Sequence, residues 1–189
     1  MQYLKEDVRQ HILEAAVEEF VLRGFKNASL RRIAEKAGIT AGNIYRYFEN
    51  KDELLSECLQ PLIKTLEGLI SQNIQFVGDQ EIDTIMRNVL AKSITQIYRS
   101  FPREFSIMRH GLKDTMYNAY YENLLVSVTQ KIRSVTPWFN ETLDPMIFEI
   151  LARNQFNAIL HILDHADDED VEKLIGQYFS VALRVFESV

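Results

Sequence analysis

The stretch GITAGNIYRYFENKDELL, residues 38–55, carries side chains that could contact nucleic acid directly. Arg46 can donate a pair of hydrogen bonds to O6 and N7 of guanine, and Asn43 can pair in the same bidentate way with adenine. Gly42 has no side chain, so the backbone beside it can approach a base edge or a phosphate closely. These residue types at this spacing favour a helix that lies in the major groove of DNA.

The helical repeat explains how such residues could share a face. At 100° per residue, all three fall on one side of a helix over residues 40–48, while Ile44 and Phe48 point together into a small core. Tyr45 and Tyr47 lie roughly 100° to either side of the arginine, where their phenols could reach phosphates. The alternative is that any three-helix unit needs caps, turns and surface charges, and that the two tyrosines extend the core.

The elements that must position this helix can be read from apolar periodicity. Apolar residues recur at helical spacing nearly everywhere, and no alternating strand pattern persists for more than a few residues, so we predict an all-α chain. The predicted helices run over residues 6–23, 30–37, 41–48, 51–73, 81–100, 103–109, 113–134, 145–164 and 168–187.

Capping residues mark the ends of the first helices. Gly24 follows the first helix where a left-handed residue is favourable, and Gly38 ends the second. Ser29 and Thr40 are the predicted N-caps of the second and third helices, and the exposed N–H groups there could bind anions. Asn50, with a glutamate three residues later, predicts a capping box that opens the fourth helix.

Charge is distributed unevenly along the chain. Between Arg23 and Tyr47 there are six bases and one acid, a net charge of +5, whereas the remaining 15 bases and 26 acids carry −11. One basic segment in a chain of net charge −6 is what an anion-binding surface requires, while the acidic remainder repels non-specific polyanion contact.

Composition places the chain among ordinary globular proteins, with 47% hydrophobic and 25% charged residues. Cys58 is the only cysteine, so disulfides within the chain are excluded, and its apolar spacing predicts a small buried side chain. The opening MQYLKEDVRQ has no apolar run like that of a signal peptide, and no segment approaches the roughly 18 uncharged residues of a membrane helix. We therefore expect a cytoplasmic protein.

Residues 29–55, SLRRIAEKAGITAGNIYRYFENKDELL, resemble the N-terminal signature of TetR-family transcriptional regulators (TetR/AcrR type). The resemblance extends back through ILEAAVEEFVLRGF, and the remainder matches only in length and helical character. It implies a helix-turn-helix DNA-binding domain at 1–50 and a helical effector-binding and dimerisation domain at 51–189. It further implies that Ser29, Arg31, Thr40, Tyr45, Tyr47 and Lys51 contact phosphates and that Ala41, Gly42, Asn43 and Arg46 lie near bases.

The same resemblance implies how such a protein works. It would bind a palindromic operator as a homodimer, with recognition helices about 34–36 Å apart, and a small molecule in the C-terminal domain would release it. Repression is the expected outcome, and activation is the alternative. Ala41 could contact only a thymine methyl, and the helical wheel turns it partly inward.

Two apolar stripes near the C-terminus predict the dimer interface. Paired with their copies in a second chain, they would form a four-helix interface. The alternative is that both stripes face only their own core, but the last helix has apolar residues on more than one face. The predicted interface residues are Phe148, Ala152, Phe156, Ile159, Leu163, Leu174, Ile175, Tyr178, Phe179, Ala182 and Phe186.

An effector pocket is expected among helices four to eight, where aromatic and soft apolar residues collect, although a plain core has the same composition. Polar groups within the apolar stripes could orient a ligand. The predicted ligand contacts are Leu62, Leu66, Met86, Leu90, Met108, Met116, Tyr117, Tyr120, Tyr121, Asn154 and Gln155.

Two other classes of protein fit parts of the sequence. The stretch HILDHADDED puts His161 and His165 four residues apart beside several aspartates, which suggests a metal-binding enzyme, but a solvated helix end explains the same residues. A helical protein-binding module is the other alternative. Because no Ser-His-Asp arrangement, phosphate-binding glycine loop or paired-cysteine site is visible, we expect no catalytic site, no metal and no cofactor.

Overall fold

The computed structural model describes residues 2–72, 84–109, 117–136 and 142–187. Within these ranges the regular structure is helical, without a β-strand, so the predicted all-α fold is confirmed. The helices are α1 (Gln2–Asn27), α2 (Leu30–Lys36), α3 (Ala41–Ile44), α4 (Lys51–Ser71), α5 (Ala91–Ser100), α6 (Pro102–Arg109), α7 (Tyr117–Val135), α8 (Pro145–His165) and α9 (Val171–Glu187), and a π-helical turn (Met86–Leu90) precedes α5.

The chain forms two compact units. The first consists of Met1–Lys64 and Phe101–Tyr121, and the second of Thr65–Ser100 and Glu122–Val189. The first unit therefore contains α1 to α3, the beginning of α4, and α6, which packs against α1. The boundary predicted at residue 50 separates a DNA-binding domain from an effector-binding domain, which is a division by function and stays a prediction.

The core of the first unit is built from one apolar stripe of each helix. Ile12 and Phe20 of α1, Ile33 of α2, Ile44 of α3 and Leu54 of α4 are all exposed by 1% or less. Burying a side chain of this size contributes about 1.5–3 kcal/mol. The inward residues predicted for the third helix are thus confirmed, and their packing fixes its opposite face outward.

Gly24 interrupts α1 with a backbone conformation that only glycine adopts easily. Its φ of 68° and ψ of 163° lie outside the helical region, and the chain then continues as a helical turn to Asn27. This positive φ agrees with the predicted end of the first helix. The bend brings the chain around towards the start of α2.

We expect Gly24→Ala to lower the free energy of unfolding by about 1–3 kcal/mol, because a side chain strains this conformation. A Cβ at Gly24 would have no atom within 4 Å, so the cost comes from the backbone alone. Gly68→Ala is the matched control: Gly68 lies within α4, has equal space, and should gain about 0.5–1 kcal/mol. Urea unfolding of both variants tests this, and equal effects would contradict it.

The second unit is organised around α9, which packs against α5, α8 and the π-helical turn. At the N-terminus of α8, Asp144 caps the helix by accepting a hydrogen bond of 2.8 Å from the N–H of Met146. Arg99 of α5 donates to the carbonyl of Asp168 at 3.0 Å, which ties α5 to the segment between α8 and α9. Of these two hydrogen bonds, the one from Arg99 joins separate elements, whereas that of Asp144 closes the start of α8.

None of the helices in the described ranges has both the length and the apolar character needed to cross a bilayer.

Cys58 is buried in the core of the first unit, as its spacing predicted. Burial raises the pKa of its thiol to about 12, and the carboxylates of Glu104 and Glu57 add to the effect. The charged thiolate is disfavoured because it would lose hydration and face like charges.

We therefore expect Cys58 to react poorly with a disulfide reagent such as DTNB at pH 8 while the chain is folded. A pKa of about 12 leaves roughly one thiol in ten thousand ionised at that pH. Unfolding in urea should restore reaction within seconds to minutes. Equal rates in both states would contradict the burial of the thiol.

Candidate nucleic-acid interface

The predicted recognition helix follows α2 through a tight turn. Gly38 has a φ of 71°, and the N–H of Ile39 donates to the carbonyl of Ala34 at 2.9 Å while that of Gly38 donates to Glu35 at 3.1 Å. This pattern is a Schellman motif, in which a glycine after the helix satisfies its last carbonyls. It turns the chain from α2 into α3.

The residues predicted to contact bases lie on α3 and in the turn that follows it. Gly42 and Arg46 are exposed, and Asn43 is half-buried. Ala41 is also exposed, so the helical-wheel expectation that it turns partly inward is wrong. Three of the four are therefore exposed, and Asn43 is accessible in part. Among them, Arg46 offers a cationic group.

The two tyrosines differ in their surroundings. Tyr45 is 59% exposed, whereas Tyr47 is half-buried and packs against the core of the first unit. The alternative that the tyrosines extend the core therefore holds for Tyr47, whereas the phosphate contacts predicted for both stay predictions.

The third helix is shorter than predicted. Regular α-helix ends at Ile44, and residues 45–47 form a turn. The N–H groups of Arg46 and Tyr47 donate to carbonyls three residues back, at 3.2 and 3.0 Å. The side chain of Phe48 is buried in the core. Its packing therefore helps to hold the turn at residues 45–47 in place after the regular helix has ended.

The predicted N-cap residues occupy the expected positions, but two of the three do not make a capping hydrogen bond. Ser29 and Thr40 are the N-cap residues of α2 and α3, yet neither side chain makes the capping hydrogen bond. Of these three predicted caps, the Asn50 side chain alone does so, accepting from the N–H of Glu53 at 2.8 Å. Thr40 and Arg31 are exposed, whereas Ser29 is half-buried, and their predicted phosphate contacts stay predictions.

Acidic residues of α1 neutralise part of the basic segment. Arg32 Nε lies 2.6 Å from Glu19 Oε1, and Lys36 Nζ lies 3.5 Å from Glu18 Oε2. Arg23 also lies near Glu19, at 3.6 Å. The charge of +5 counted along the sequence therefore overstates the positive charge of the folded surface, because α1 supplies acids from outside the window.

Glu19 is a structural residue that the sequence interpretation missed. Its side chain is 1% exposed, and Oε1 accepts from Arg32 and from the N–H of Ser29 at 3.4 Å. The carboxylate thereby joins α1 to the start of α2. Its position on the apolar stripe with Ala16 and Phe20 is the signal that could have revealed it, because an acid there requires a buried partner.

Lys51, predicted at a phosphate, has other partners in the structure. Its Nζ lies 2.6, 3.3 and 3.2 Å from the carbonyl oxygens of residues 25, 26 and 28. It also lies 4.4 Å from the centre of the Phe25 ring. An ammonium has three N–H donors, so these carbonyls use all of them.

The predicted ligand contacts are divided between the two units, and the pocket stays a prediction. In the first unit, Leu62 is buried, Met108 packs against the core, Tyr121 is half-buried, and Tyr120 Oη lies 3.3 Å from Ser56 Oγ. In the second unit, Leu66, Leu90 and Gln155 are half-buried and Asn154 is exposed. Met116 and the side chains of Met86 and Tyr117 lie outside the described residues.

Gln155 has one feature that suits a ligand contact. Its Oε1 is buried and has no hydrogen-bond partner among the residues that the structure describes. Elsewhere in the second unit, a groove of about 830 Å³ is lined in part by Arg99, Glu169, Glu172 and Lys173. None of these charged residues was a predicted ligand contact.

Part of the two apolar stripes predicted to form the dimer interface is buried in the core of a single chain. Phe148, Ala152, Leu163, Ile175 and Phe179 are already buried without a partner. Their apolar character is explained by their own core, as the alternative interpretation held. The remaining residues of the stripes, whose contact with a second chain stays a prediction, are the half-buried Phe156, Ile159, Leu174, Tyr178 and Ala182, and Phe186, whose side chain lies outside the described residues.

The two histidines of α8 do not form a metal cluster with their acidic neighbours. The rings of His161 and His165 stack with centroids 4.1 Å apart, and His165 Nδ1 lies 2.9 Å from the carbonyl oxygen of His161. In the described ranges no three His, Cys, Asp or Glu side chains are grouped as metal ligands. The geometry is that of a helix C-terminus.

Comparison with known proteins agrees with this geometry. Residues 12–58 match the sequence profile of the bacterial regulatory proteins of the tetR family. The chain is 33% identical over 112 residues to the HTH-type transcriptional regulator SrpR of Pseudomonas putida, covering 58% of this chain and 50% of SrpR. It is 32% identical over 112 residues to the uncharacterized HTH-type transcriptional regulator TtgW, also of Pseudomonas putida, covering 58% of this chain and 79% of TtgW.

Similarity to solved structures extends over nearly the whole chain. SmeT, the repressor of the Stenotrophomonas maltophilia multidrug efflux pump SmeDEF, has a TM-score of 0.62 and 23% identity, covering 95% of this chain and 91% of SmeT. At this identity the similarity shows a shared fold.

In the comparison of sequences, the aligned region spans about half the length of SrpR.

The helical fold and the tight turn between α2 and α3 define a helix-turn-helix protein. The chain belongs to the tetR family of bacterial regulatory proteins. Members of this family are regulators and not enzymes, so the metal-enzyme interpretation of His161 and His165 is set aside.

Proposed function

We propose that this chain is a ligand-responsive transcriptional repressor in the cytoplasm that binds a palindromic operator as a homodimer. The observation that carries the proposal is the accessible surface of α3 and the turn after it, where Gly42 and Arg46 are exposed, Asn43 is half-buried, and Ile44 and Phe48 pack into the core behind them. In this role Arg46 reads a guanine and Asn43 an adenine, while Arg31, Thr40 and Tyr45 contact phosphates.

Dimerisation follows from the need for specificity. One short helix contacts only a few base pairs, so two copies about 34–36 Å apart on successive major grooves are required for a selective site. We place the interface on α8 and α9, where Met146, Ile150 and Val181 are exposed apolar residues beside the half-buried ones. The solved repressor SmeT supports repression as the outcome.

Release by a small molecule requires a connection to the DNA-binding helices. Ile107 of α6 is buried in the same core as α1 to α4, so displacement of α6 would disturb the packing beneath α3. A ligand acts in this way only if it binds one arrangement more tightly than the other. The buried Oε1 of Gln155 favours a ligand that carries a hydrogen-bond donor.

The test starts with purified protein and random duplex fragments. Captured fragments should share a two-fold symmetric sequence with half-sites about ten base pairs apart, and their affinity should fall steeply with salt. A reporter placed behind that sequence then separates repression from activation. Capture without any shared sequence would overturn operator recognition, and a rise in expression would replace repression by activation.

A further inference from the structure

The segment that joins α1 to α2, residues 25–28, is held by cations from two other helices. Lys51 of α4 binds the carbonyl oxygens of residues 25, 26 and 28 at 2.6, 3.3 and 3.2 Å. Arg32 of α2 binds the remaining one, that of Asn27, at 2.6 Å. We call residues 25–28 the corner segment, and each of its four carbonyls faces a positive charge.

Carbonyls at the C-terminal end of a helix lack partners within the helix and carry its negative dipole end. Lysine places a compact charge with three rotatable donors among three converging oxygens, and the Phe25 ring lies 4.4 Å beneath it. Arginine has a planar fork of donors and cannot direct them to such a cluster in the same way. The site therefore fits an ammonium specifically.

The corner segment determines how α2 leaves α1. α2 begins at Leu30, two residues beyond the corner segment, and α3 packs against α2. The N–H of Ala28 donates to the carbonyl of Gly24 at 3.1 Å, so the bend and the corner segment are one continuous turn. If this turn loosened, part of the free energy of DNA binding would be spent on ordering α2 and α3.

We infer that Lys51, together with Arg32, is a positioning residue for the DNA-reading helix, acting through the corner segment and not through a phosphate. The inference rests on the proposed function and replaces the phosphate contact that the sequence predicted for Lys51. A phosphate contact would require Lys51 to give up carbonyls that already use all of its donors.

Salt dependence separates the two roles. A phosphate contact contributes about 0.9 to the slope of log K against log salt, or about 1.8 for a dimer, whereas a positioning residue contributes affinity without slope. For Lys51→Gln we expect operator affinity about tenfold weaker at every salt concentration and an unchanged slope. Lys51→Arg keeps the charge and should be nearly as weak, because it does not fit the carbonyl cluster.

Two control variants make the comparison quantitative. Lys64→Gln removes the same charge from an exposed position on α4 and should leave affinity and slope unchanged. Arg31→Gln removes an exposed cation at a predicted phosphate contact and should reduce the slope by about 1.8 per dimer. The duplex is the symmetric sequence recovered with the wild-type protein, and titrations are made where circular dichroism shows every variant to be folded.

Three results would overturn the inference: a lower slope for Lys51→Gln, wild-type affinity for Lys51→Gln, or wild-type affinity for Lys51→Arg. The arginine variant decides the matter even if the glutamine variant does not fold. Hydrogen exchange without DNA tests the corner segment independently, since its amides should exchange at least tenfold faster in Lys51→Gln. Failure of the wild-type protein to select any duplex would overturn the proposed function while this exchange result still decided the role of Lys51.

Discussion

Replacing Arg46 and Asn43 together by alanine is expected to abolish selective DNA binding while leaving the protein folded. Each bidentate base contact is worth about 1–3 kcal/mol of discrimination, and a dimer loses four of them. A specific site is normally preferred by a factor of about 10³ or more, and we expect this preference to fall to within about tenfold. Competition between the selected duplex and an unrelated one measures the ratio.

Folding should be nearly unaffected by this double substitution, because Arg46 is exposed and Asn43 half-buried, and such positions change stability by about 0.5 kcal/mol or less. Arg103→Ala is the matched control, since Arg103 is exposed on α6 of the same unit and should retain full selectivity. Retained selectivity in a folded double variant would show that α3 is not the reading element.

The second large effect concerns the buried carboxylate of Glu19. Arg32→Leu is expected to lower the free energy of unfolding by about 3 kcal/mol, because it leaves a buried charge without its closest partner. Glu19→Gln should cost less, about 1–2 kcal/mol, since the remaining Arg32 side chain is 42% exposed and can be hydrated. The two costs differ because Arg32→Leu leaves the buried Glu19 carboxylate unpaired, whereas Glu19→Gln leaves only the partly exposed Arg32 cation.

The double variant Glu19→Leu with Arg32→Leu replaces both charges and should recover most of the stability lost in Arg32→Leu, because an apolar pair needs no compensation. Glu18→Gln is the control: Glu18 is 56% exposed, and loss of its contact with Lys36 should cost less than about 1 kcal/mol. Chemical denaturation gives all four values. If Arg32→Leu were no more damaging than Glu18→Gln, Glu19 would not depend on Arg32.

Local signals along the chain predicted much of the fold. Helical spacing identified buried residues of α1 to α4 and of the turn after α3, including Ile33, Ile44 and Phe48. The glycines at 24 and 38 mark the two turns with positive φ. These features depend on the helical period and on backbone sterics, which act over a few residues. The exposure of Gly42 and Arg46 followed from the same period.

Long-range packing decided what the sequence left open. The end of α3 at Ile44, the burial of Glu19 and the carbonyl partners of Lys51 depend on how helices far apart in the chain pack together. The stripe of α8 shows the same limit, because Phe148 and Ala152 would look alike in a core or in an interface. The helical period predicts which residues share a face of a helix, whereas the packing of the folded chain determines which residues that face contacts.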